Sequence, residues 1–370
     1  MTRSTHAGLG ESFEEEKESN MTYRIKLLAA GLALMLAGAA SAQDLPKTQL
    51  KVVGAWGNLS QYKNFEQPFW TKDVTAASKG AITAEITPFN EMGLKGAEIF
   101  RLMRLGVIDF GSTVLGYVAG DDARNEAVDL AGLSPDIETA RKVSDAYKPI
   151  YDKFYREKFG LQVLGIWPYS AQVLFCNGEL KSLADIKGKK VRTGNRTLAE
   201  LVDALGGTGV TLAFSEVVPA LQNKVVDCAI TGTLSGNSAK WHEVATYIYA
   251  LPVGWSHVMH AVNAKRWDGL DPKVRTFLQA EITKLEDSIW KAAADESQQG
   301  IDCNIGKDTC TMGTKAKMSL LPVSDADRAL LKKVLNETVV PKWAARCPGD
   351  CVPNWNATVG KIVGITAKAN

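Results

Sequence analysis

The segment that decides the fold runs from Lys189 to Ile230 and reads KKVRTGNRTLAELVDALGGTGVTLAFSEVVPALQNKVVDCAI. In order it predicts a strand, two helices and a second strand, over residues 189–193, 197–205, 216–222 and 225–230. Gly206 is typical of a helix end, and Ser215 is typical of a helix N-cap. Strands that alternate with helices in this way indicate an α/β fold.

The first half of the chain has the same organisation. It predicts strand, helix, strand, helix and strand over residues 51–56, 63–78, 81–89, 93–106 and 107–112. Residues 102–110 and 220–228 share a helix end, a tight turn and an apolar strand that carries an Asp, Asp109 or Asp227. This repetition favours two similarly built α/β lobes over one large sheet.

A long helix is predicted after the second lobe. Asp271 is a helix N-cap and Pro272 suits the first helical position. Apolar residues then recur at helical spacing as far as Gln299, a length of about 40 Å at 1.5 Å per residue. Such a helix is long enough to brace two small lobes.

The N-terminal region predicts export. Residues 21–42 contain a basic start, an apolar run and Ala40-Ser-Ala42, the pattern of a secretory signal that is cleaved after Ala42. Residues 1–20 are acidic, unlike the start of a signal, and are read as an upstream segment. The mature protein is therefore expected in the periplasm.

Composition and motifs exclude several functions. The chain has 370 residues, with 43 Lys and Arg against 41 Asp and Glu, so its net charge of +2 gives no reason to expect nucleic-acid binding. No phosphate-binding, dinucleotide, zinc-protease or hydrolase motif occurs. His257 and His260 lie three apart in a strand-like run and face opposite sides. We therefore expect no metal, no cofactor and no catalytic residues.

Six cysteines follow the signal, in an oxidising compartment. Cys303 and Cys310 bracket a polar loop, and Cys347 and Cys351 bracket a turn, so these local pairs are preferred over the other pairings. Cys176 and Cys228 each lie in a strand-like run. Either a bridge or two buried thiols would suit them.

Arg192 is the charge most suited to a ligand. It lies in a short strand between Gly188 and Gly194, and strand ends in an α/β lobe are where ligands bind. A guanidinium there can hold a carboxylate through two parallel hydrogen bonds. A surface or salt-bridged arginine remains the alternative.

Several of these segments together resemble TRAP-transporter substrate-binding proteins, the DctP family. The central signature is matched by residues 186–192, 213–222 and 225–227, the first-lobe signature by 92–98 and 105–109, and the back of the family by 263–270. The resemblance covers residues 50–345.

The resemblance implies a two-lobed periplasmic-binding-protein fold with crossing hinge strands and a long bracing helix. We expect lobe I to contain residues 43–172 and 258–300, and lobe II residues 173–257 and 301–370 with the C-terminal helices. The chain is expected to cross between lobes near 172–177 and 255–263. The implied partners are an organic acid and the small and large membrane subunits of a TRAP permease, with the binding protein a monomer.

The resemblance also implies site residues. The position of Arg192 takes the ligand carboxylate, Thr231 stands where a polar pocket residue is usual, and Gln172 stands where a second Arg is common. The remaining candidates for the cleft are Trp56, Thr113, Trp167, Tyr169, Phe214 and Trp255. Because the second Arg is missing and aromatics are available, we expect a monocarboxylate with an apolar or aromatic body. A sugar acid, a C4-dicarboxylate, a ligand sensor and a secreted enzyme on the same scaffold are the alternatives.

Overall fold

Two mixed β-sheets organise residues 45–368, the part of the chain that this computed structural model describes. The strands are β1 Thr48–Gly54, β2 Ile82–Pro88, β3 Phe110–Val114, β4 Leu161–Trp167, β5 Gln172–Cys176, β6 Lys190–Thr193, β7 Thr208–Thr211, β8 Cys228–Gly232, β9 Tyr247–Gly254, β10 Val258–Asn263 and β11 Ser319–Leu321. The first sheet has the order β2-β1-β3-β10-β4 and the second has the order β11-β9-β5-β8-β6-β7. The predicted signal peptide and upstream segment lie outside the described residues.

Helices cover the sheets. The α-helices are α1 Val74–Ala77, α2 Ala97–Arg104, α3 Ile137–Phe154, α4 Arg196–Ala204, α5 Val217–Gln222, α6 Thr233–Ser238, α7 Ala264–Asp268, α8 Pro272–Asn304, α9 Asp325–Val334, α10 Val340–Arg346, α11 Cys351–Trp355 and α12 Lys361–Val363. Short π-helical turns add Gln61–Glu66, Phe69–Asp73, Tyr155–Phe159, Leu335–Val339 and Asn356–Gly360. Short 3-10 turns add Phe89–Met92, Leu115–Val118, Ala123–Glu126, Leu183–Ile186, Phe214–Glu216 and Trp241–Glu243. The predicted α/β class is confirmed.

Strand direction follows the predicted repetition. In the first sheet β1 runs parallel to β2 and β3, and in the second sheet β6 runs parallel to β7 and β8. Strands β5 and β10 run antiparallel to their neighbours. Each sheet is therefore a parallel α/β unit to which antiparallel strands from the chain crossings are added.

The chain crosses between the sheets three times. The third crossing contains the long helix α8, whereas the first two are short and lie side by side. Residues 168–171 connect β4 to β5, and residues 255–257 connect β9 to β10. The Tyr169 backbone N–H donates to the Trp255 carbonyl at 2.9 Å. The first crossing lies before the expected 172–177 because β5 pairs along its whole length with β8 and so belongs entirely to the second sheet.

Helix α8 runs along both sheets, as the predicted brace. Its Glu286 carboxylate accepts the Ile166 backbone N–H in β4 at 2.8 Å, and its Ser297 carbonyl accepts the Thr233 hydroxyl after β8 at 2.8 Å. The helix has 33 residues, about 50 Å, and continues past the predicted end at Gln299. Gly300 lies inside the helix and does not end it. A glycine is required at this position because a Cβ there would lie 2.2 Å from the Leu234 backbone nitrogen, so it allows close packing against α6.

All six cysteines are paired. The local bridges Cys303–Cys310 and Cys347–Cys351 have the pairing that the sequence favours. Cys176 in β5 is bridged to Cys228 in β8, where the two residues are directly opposite in the antiparallel ladder with Cα atoms 4.1 Å apart. Cys176 and Cys228 are therefore bridged, and the alternative of two buried thiols is not what the structure has.

No helix among residues 45–368 is both long enough and apolar enough to cross a bilayer.

The C-terminal helices pack over the segment that follows β3, where the Trp343 and Trp355 indoles donate to the carbonyls of Ala123 and Ala127, each at 2.8 Å. The assignment of these helices to lobe II, and the lobe limits as a whole, remain predictions.

Candidate functional site

A small cavity lies between the two sheets, where their parallel strands end. It is lined by Trp56, Leu59, Val114, Tyr117, Tyr169, Gln172, Arg192, Gly194, Asn195, Phe214, Thr231, Ser235 and Ser256. Val114 ends β3, Arg192 lies near the end of β6, and Thr231 lies near the end of β8. The carboxyl ends of strands in α/β sheets are the usual ligand sites. The cavity volume is about 30 Å³, room for about one or two water molecules.

Arg192 is held rigidly at the edge of this cavity. Its Nε and Nη2 donate to the Leu212 carbonyl at 3.0 and 2.9 Å, and its Nη1 donates to the Ile230 carbonyl at 2.8 Å. A guanidinium has five N–H groups. One N–H on each terminal nitrogen therefore has no acceptor among the described residues, and a carboxylate accepts such a pair.

The charge of Arg192 is buried without a counter-ion. The residue is 2% exposed, and no carboxylate within residues 45–368 lies at salt-bridge distance from it. Burial lowers the pKa of the guanidinium from 12.5 to about 10. Since a buried unpaired charge is costly, Arg192 forms a candidate anion site.

Aromatic side chains form the walls. Trp56 meets Phe214 with ring centroids 5.3 Å apart, and so joins the end of β1 to the turn before α5. Trp56 also packs edge-on against Phe89 at 4.7 Å, and its indole N–H donates to the Tyr117 hydroxyl at 3.3 Å. These contacts give the cavity flat apolar faces on the side of the first sheet.

Polar groups complete the lining. The Gln172 amide donates to the Ser170 carbonyl at 3.0 Å, while Asn195 caps α4 by accepting the Leu198 backbone N–H at 2.9 Å. The Tyr169 hydroxyl is buried without a hydrogen-bond partner among the described residues, and burial raises its pKa well above the usual value. The site thus offers neutral hydrogen-bonding groups beside one cation.

Six of the nine predicted binding residues come together here, namely Trp56, Tyr169, Gln172, Arg192, Phe214 and Thr231. Three others lie away from the cavity. Trp167 stacks on His260 with centroids 5.6 Å apart, the Trp255 indole donates to the Ser134 carbonyl at 3.0 Å, and the Thr113 hydroxyl donates to the Gly96 carbonyl at 2.8 Å. Their side chains are turned into the core behind the strands, so the structure gives them no place in the lining.

Tyr117, Asn195 and Ser256 are lining residues that sequence reasoning missed. Asn195 carried a signal, because a polar residue directly before a predicted helix and three positions after Arg192 must lie at the same strand end. Tyr117 follows the end of β3 as Trp56 follows the end of β1. Ser256 had no such signal, since its position depends on the path of the second crossing.

An exposed ion pair links the two sides of the cleft near Phe214. Lys95, in the loop before α2, bonds the Glu216 carboxylate at 2.5 Å, and both side chains are about half exposed. Glu216 is tied in turn to the Ala213 backbone N–H at 3.1 Å. The pair joins the side of the first sheet to the side of the second, directly beside Phe214.

The other charged candidates have structural roles. Asp227 accepts the Lys190 backbone N–H at 2.8 Å, and Asp109 pairs with Arg266 at 3.1 Å. His260 lies buried between Trp70 and Trp167 and bonds the Ser112 hydroxyl at 2.9 Å. Among residues 45–368 no group of His, Cys, Asp or Glu is arranged to hold a metal ion.

Comparison with known proteins agrees with this architecture. The C4-dicarboxylate-binding periplasmic protein DctP of Rhodobacter capsulatus is 27% identical over 228 residues, which are 60% of this chain and 68% of the relative. The crystal structure of DctP7, a Bordetella pertussis extracytoplasmic solute receptor binding pyroglutamic acid, matches with a TM-score of 0.74 and 19% identity over 84% of this chain and 99% of that one. A TRAP periplasmic solute-binding protein from Desulfovibrio salexigens with bound orotic acid matches with a TM-score of 0.74 and 18% identity over 85% and 99%.

The family model described as bacterial extracellular solute-binding protein, family 7, matches residues 56–339. The relatives named above are binding proteins and not enzymes, so the enzyme alternative is set aside. Because the match covers most of the chain, this protein belongs to the DctP family of bacterial extracellular solute-binding proteins.

Proposed function

We propose that this protein captures a small monocarboxylate with an apolar or aromatic body and delivers it to the membrane subunits of a TRAP permease. The observation that carries the proposal is Arg192, whose buried guanidinium has no carboxylate partner within the described residues and keeps one uncommitted N–H on each terminal nitrogen. A ligand carboxylate supplies both the missing charge and the missing acceptors.

The charge of the lining supports a single carboxylate. Arg192 is the one cationic residue among the lining residues described above, and none of them is acidic. Gln172 is neutral, and the nearby cations Lys95 and Arg196 are paired with Glu216 at 2.5 Å and Glu200 at 3.4 Å. A second carboxylate would be buried without a partner, which is expensive.

The walls support an apolar or aromatic body. Trp56 and Phe214 present ring faces, and Leu59 and Val114 present aliphatic groups. Flat apolar surfaces favour a ring or branched carbon skeleton. Pyroglutamic acid and orotic acid, bound by the two structural relatives, are ring compounds with one carboxylate, whereas the Rhodobacter relative is named for C4-dicarboxylates.

Binding requires movement in this proposal. A cavity of about 30 Å³ is too small for such an acid, so the lobes must separate to admit it and close around it. The two side-by-side crossings at 168–171 and 255–257 are the natural hinge. The predicted lobe limits, the periplasmic location, the monomeric state and the small and large permease subunits as partners belong to the same proposal.

A thermal-shift screen of organic acids, followed by calorimetry, tests the ligand class. The panel contains matched pairs, such as benzoate with phthalate and isovalerate with methylsuccinate, together with pyroglutamate, orotate and galacturonate. A ligand at 100 times its dissociation constant adds about 2.7 kcal/mol to the free energy of unfolding. We expect monocarboxylates with an apolar or aromatic body to give the largest shifts. Larger shifts with dicarboxylates or with the sugar acid galacturonate would contradict the assigned class.

Transport and sensing are separated by a second measurement. Vesicles that contain the permease subunits should take up the ligand only when the binding protein is added. Binding without such uptake would favour a sensor.

A further inference from the structure

The second crossing contains an unusual backbone conformation at the ligand cavity. Ser256 has φ of +48°, in the left-handed region that residues with a Cβ rarely adopt. The other non-glycine residues with positive φ among residues 45–368 are Lys79, Lys224 and Lys240, which are exposed and follow helix ends. Ser256 instead lies between two strands and lines the cavity. Such a conformation persists only where surrounding contacts determine it.

The Asp129 carboxylate supplies those contacts. Its Oδ1 accepts the Trp255 backbone N–H at 2.9 Å, and its Oδ2 accepts the Ser256 backbone N–H at 2.8 Å. The two oxygens thus bind two successive peptide groups of the crossing. Hydrogen bonds to an ionised carboxylate are stronger than those between neutral groups.

The segment around Asp129 is tied to the crossing at further points. The Gly132 backbone N–H donates to the Val253 carbonyl at 3.0 Å, and the Trp255 indole N–H donates to the Ser134 carbonyl at 3.0 Å. On the other side of the crossing, the Tyr169 N–H donates to the Trp255 carbonyl at 2.9 Å. The crossing is therefore held between residues 129–134 and the first crossing.

We infer that Asp129 is a positioning residue for ligand binding. It holds the second crossing so that Ser256 keeps its left-handed conformation and forms part of the cavity wall. The ligand contact belongs to the lining residues, and Asp129 acts on it through the backbone of Trp255 and Ser256. The inference rests on the proposed function only where it concerns affinity, because the clamp itself is a property of the ligand-free chain.

Amide hydrogen exchange in the ligand-free protein tests the clamp directly. In the Asp129→Ala variant the amides of residues 255 and 256 should exchange at least about tenfold faster, while those in the middle of β10 keep their rates. Asp136→Ala is the matched control, since it removes the N-cap contact to the Thr139 N–H at 2.7 Å and leaves the crossing untouched. Unchanged exchange at residues 255 and 256 would overturn the inference. Asp129→Asn, which keeps one acceptor oxygen, gives the same comparison if the Ala variant does not fold.

A double-mutant cycle tests the positioning role, with L-pyroglutamate as the probe. Asp129→Ala should weaken binding by about tenfold when residue 256 is Ser, but by less than about threefold in the Ser256→Gly background, because glycine adopts positive φ without strain. A purely structural role would cause equal losses in both backgrounds, and equal losses would overturn the positioning claim. If the wild-type protein does not bind this probe, the cycle is repeated with the panel monocarboxylate that gives the largest thermal shift. If no monocarboxylate of the panel binds, the proposed function fails, while the exchange measurement still decides the clamp.

Discussion

Replacing Arg192 by Met separates the ligand role of the guanidinium from its effect on stability. Burial lowers its pKa from 12.5 to about 10, and each pKa unit corresponds to about 1.36 kcal/mol, so keeping this charge in the ligand-free protein costs about 3 kcal/mol. At pH 7 the side chain is charged in both the folded and the unfolded states, so this cost is constant across neutral pH. The Arg192→Met substitution removes the charge and with it this free-energy cost.

The opposing effect is of similar size. The carbonyls of Leu212 and Ile230 lose the donors that Arg192 provides, and an unsatisfied buried acceptor costs about 1–3 kcal/mol. The two effects roughly cancel, so we expect the free energy of unfolding of the ligand-free variant to change by less than about 2 kcal/mol. Affinity should respond differently, because truncating one partner of a buried charge pair costs about 2–5 kcal/mol. That corresponds to a loss of about 30-fold to 4,000-fold.

Calorimetry with the tightest acid of the panel, alongside urea unfolding without ligand, measures both quantities. Arg192→Lys keeps the charge but not the paired N–H geometry and should fall between wild type and Arg192→Met. Arg196→Met is the matched control, since Arg196 lies on the same segment with its side chain 61% exposed, and it should change affinity by less than about twofold. A folded Arg192→Met protein with wild-type affinity would refute the reasoning.

Three further predictions follow from contacts outside the anion site. Lys95→Ala or Glu216→Ala should speed ligand release, by less than about tenfold, in stopped-flow experiments at low salt. High salt should remove the difference between variant and wild-type release rates because the ion pair is exposed. Variant release rates equal to the wild-type rate at low salt would exclude a role for this pair in holding the cleft closed. Replacing Cys176 and Cys228 together by Ala should lower the free energy of unfolding by about 4 kcal/mol, because this bridge closes a loop of 52 residues. The same replacement of Cys303 and Cys310 should lower it by about 2 kcal/mol, because that loop has 7 residues. A larger loss for the second pair would contradict this account. Burial raises the pKa of Glu66 from 4.5 to about 7, so this carboxyl ionises at lower pH in the unfolded state than in the folded state. The wild-type protein should therefore lose about 3 kcal/mol of its free energy of unfolding as pH rises from 4.5 to 7, and Glu66→Gln should not show this loss. Equal pH profiles of the two proteins in urea unfolding would refute the assignment.

Local sequence signals predicted the elements that build the anion site. The strand that carries Arg192 lies between glycines and is followed by an N-capped helix, so its position at a strand end follows from neighbouring residues alone. Strands β4, β7, β9 and β11 were not predicted. Strand β4 is buried almost throughout, so its sequence lacks the alternation that marks a half-exposed strand.

Side-chain direction at the crossings was beyond local signals. Trp167 ends β4 and is paired with Val258 of β10, a register that turns its indole toward His260 and away from the cavity. Ser256 reaches the cavity because Asp129, more than a hundred residues earlier in the chain, holds its backbone. Both placements depend on pairings between distant segments, which composition and periodicity do not reveal.

The crystal structure of the protein with its tightest monocarboxylate is the most direct test of the central claim. We predict that the two carboxylate oxygens lie about 3 Å from Nη1 and Nη2 of Arg192, with the body of the ligand between Trp56 and Phe214. A ligand carboxylate bound elsewhere, with the guanidinium still bonded only to the carbonyls of Leu212 and Ile230, would contradict the account.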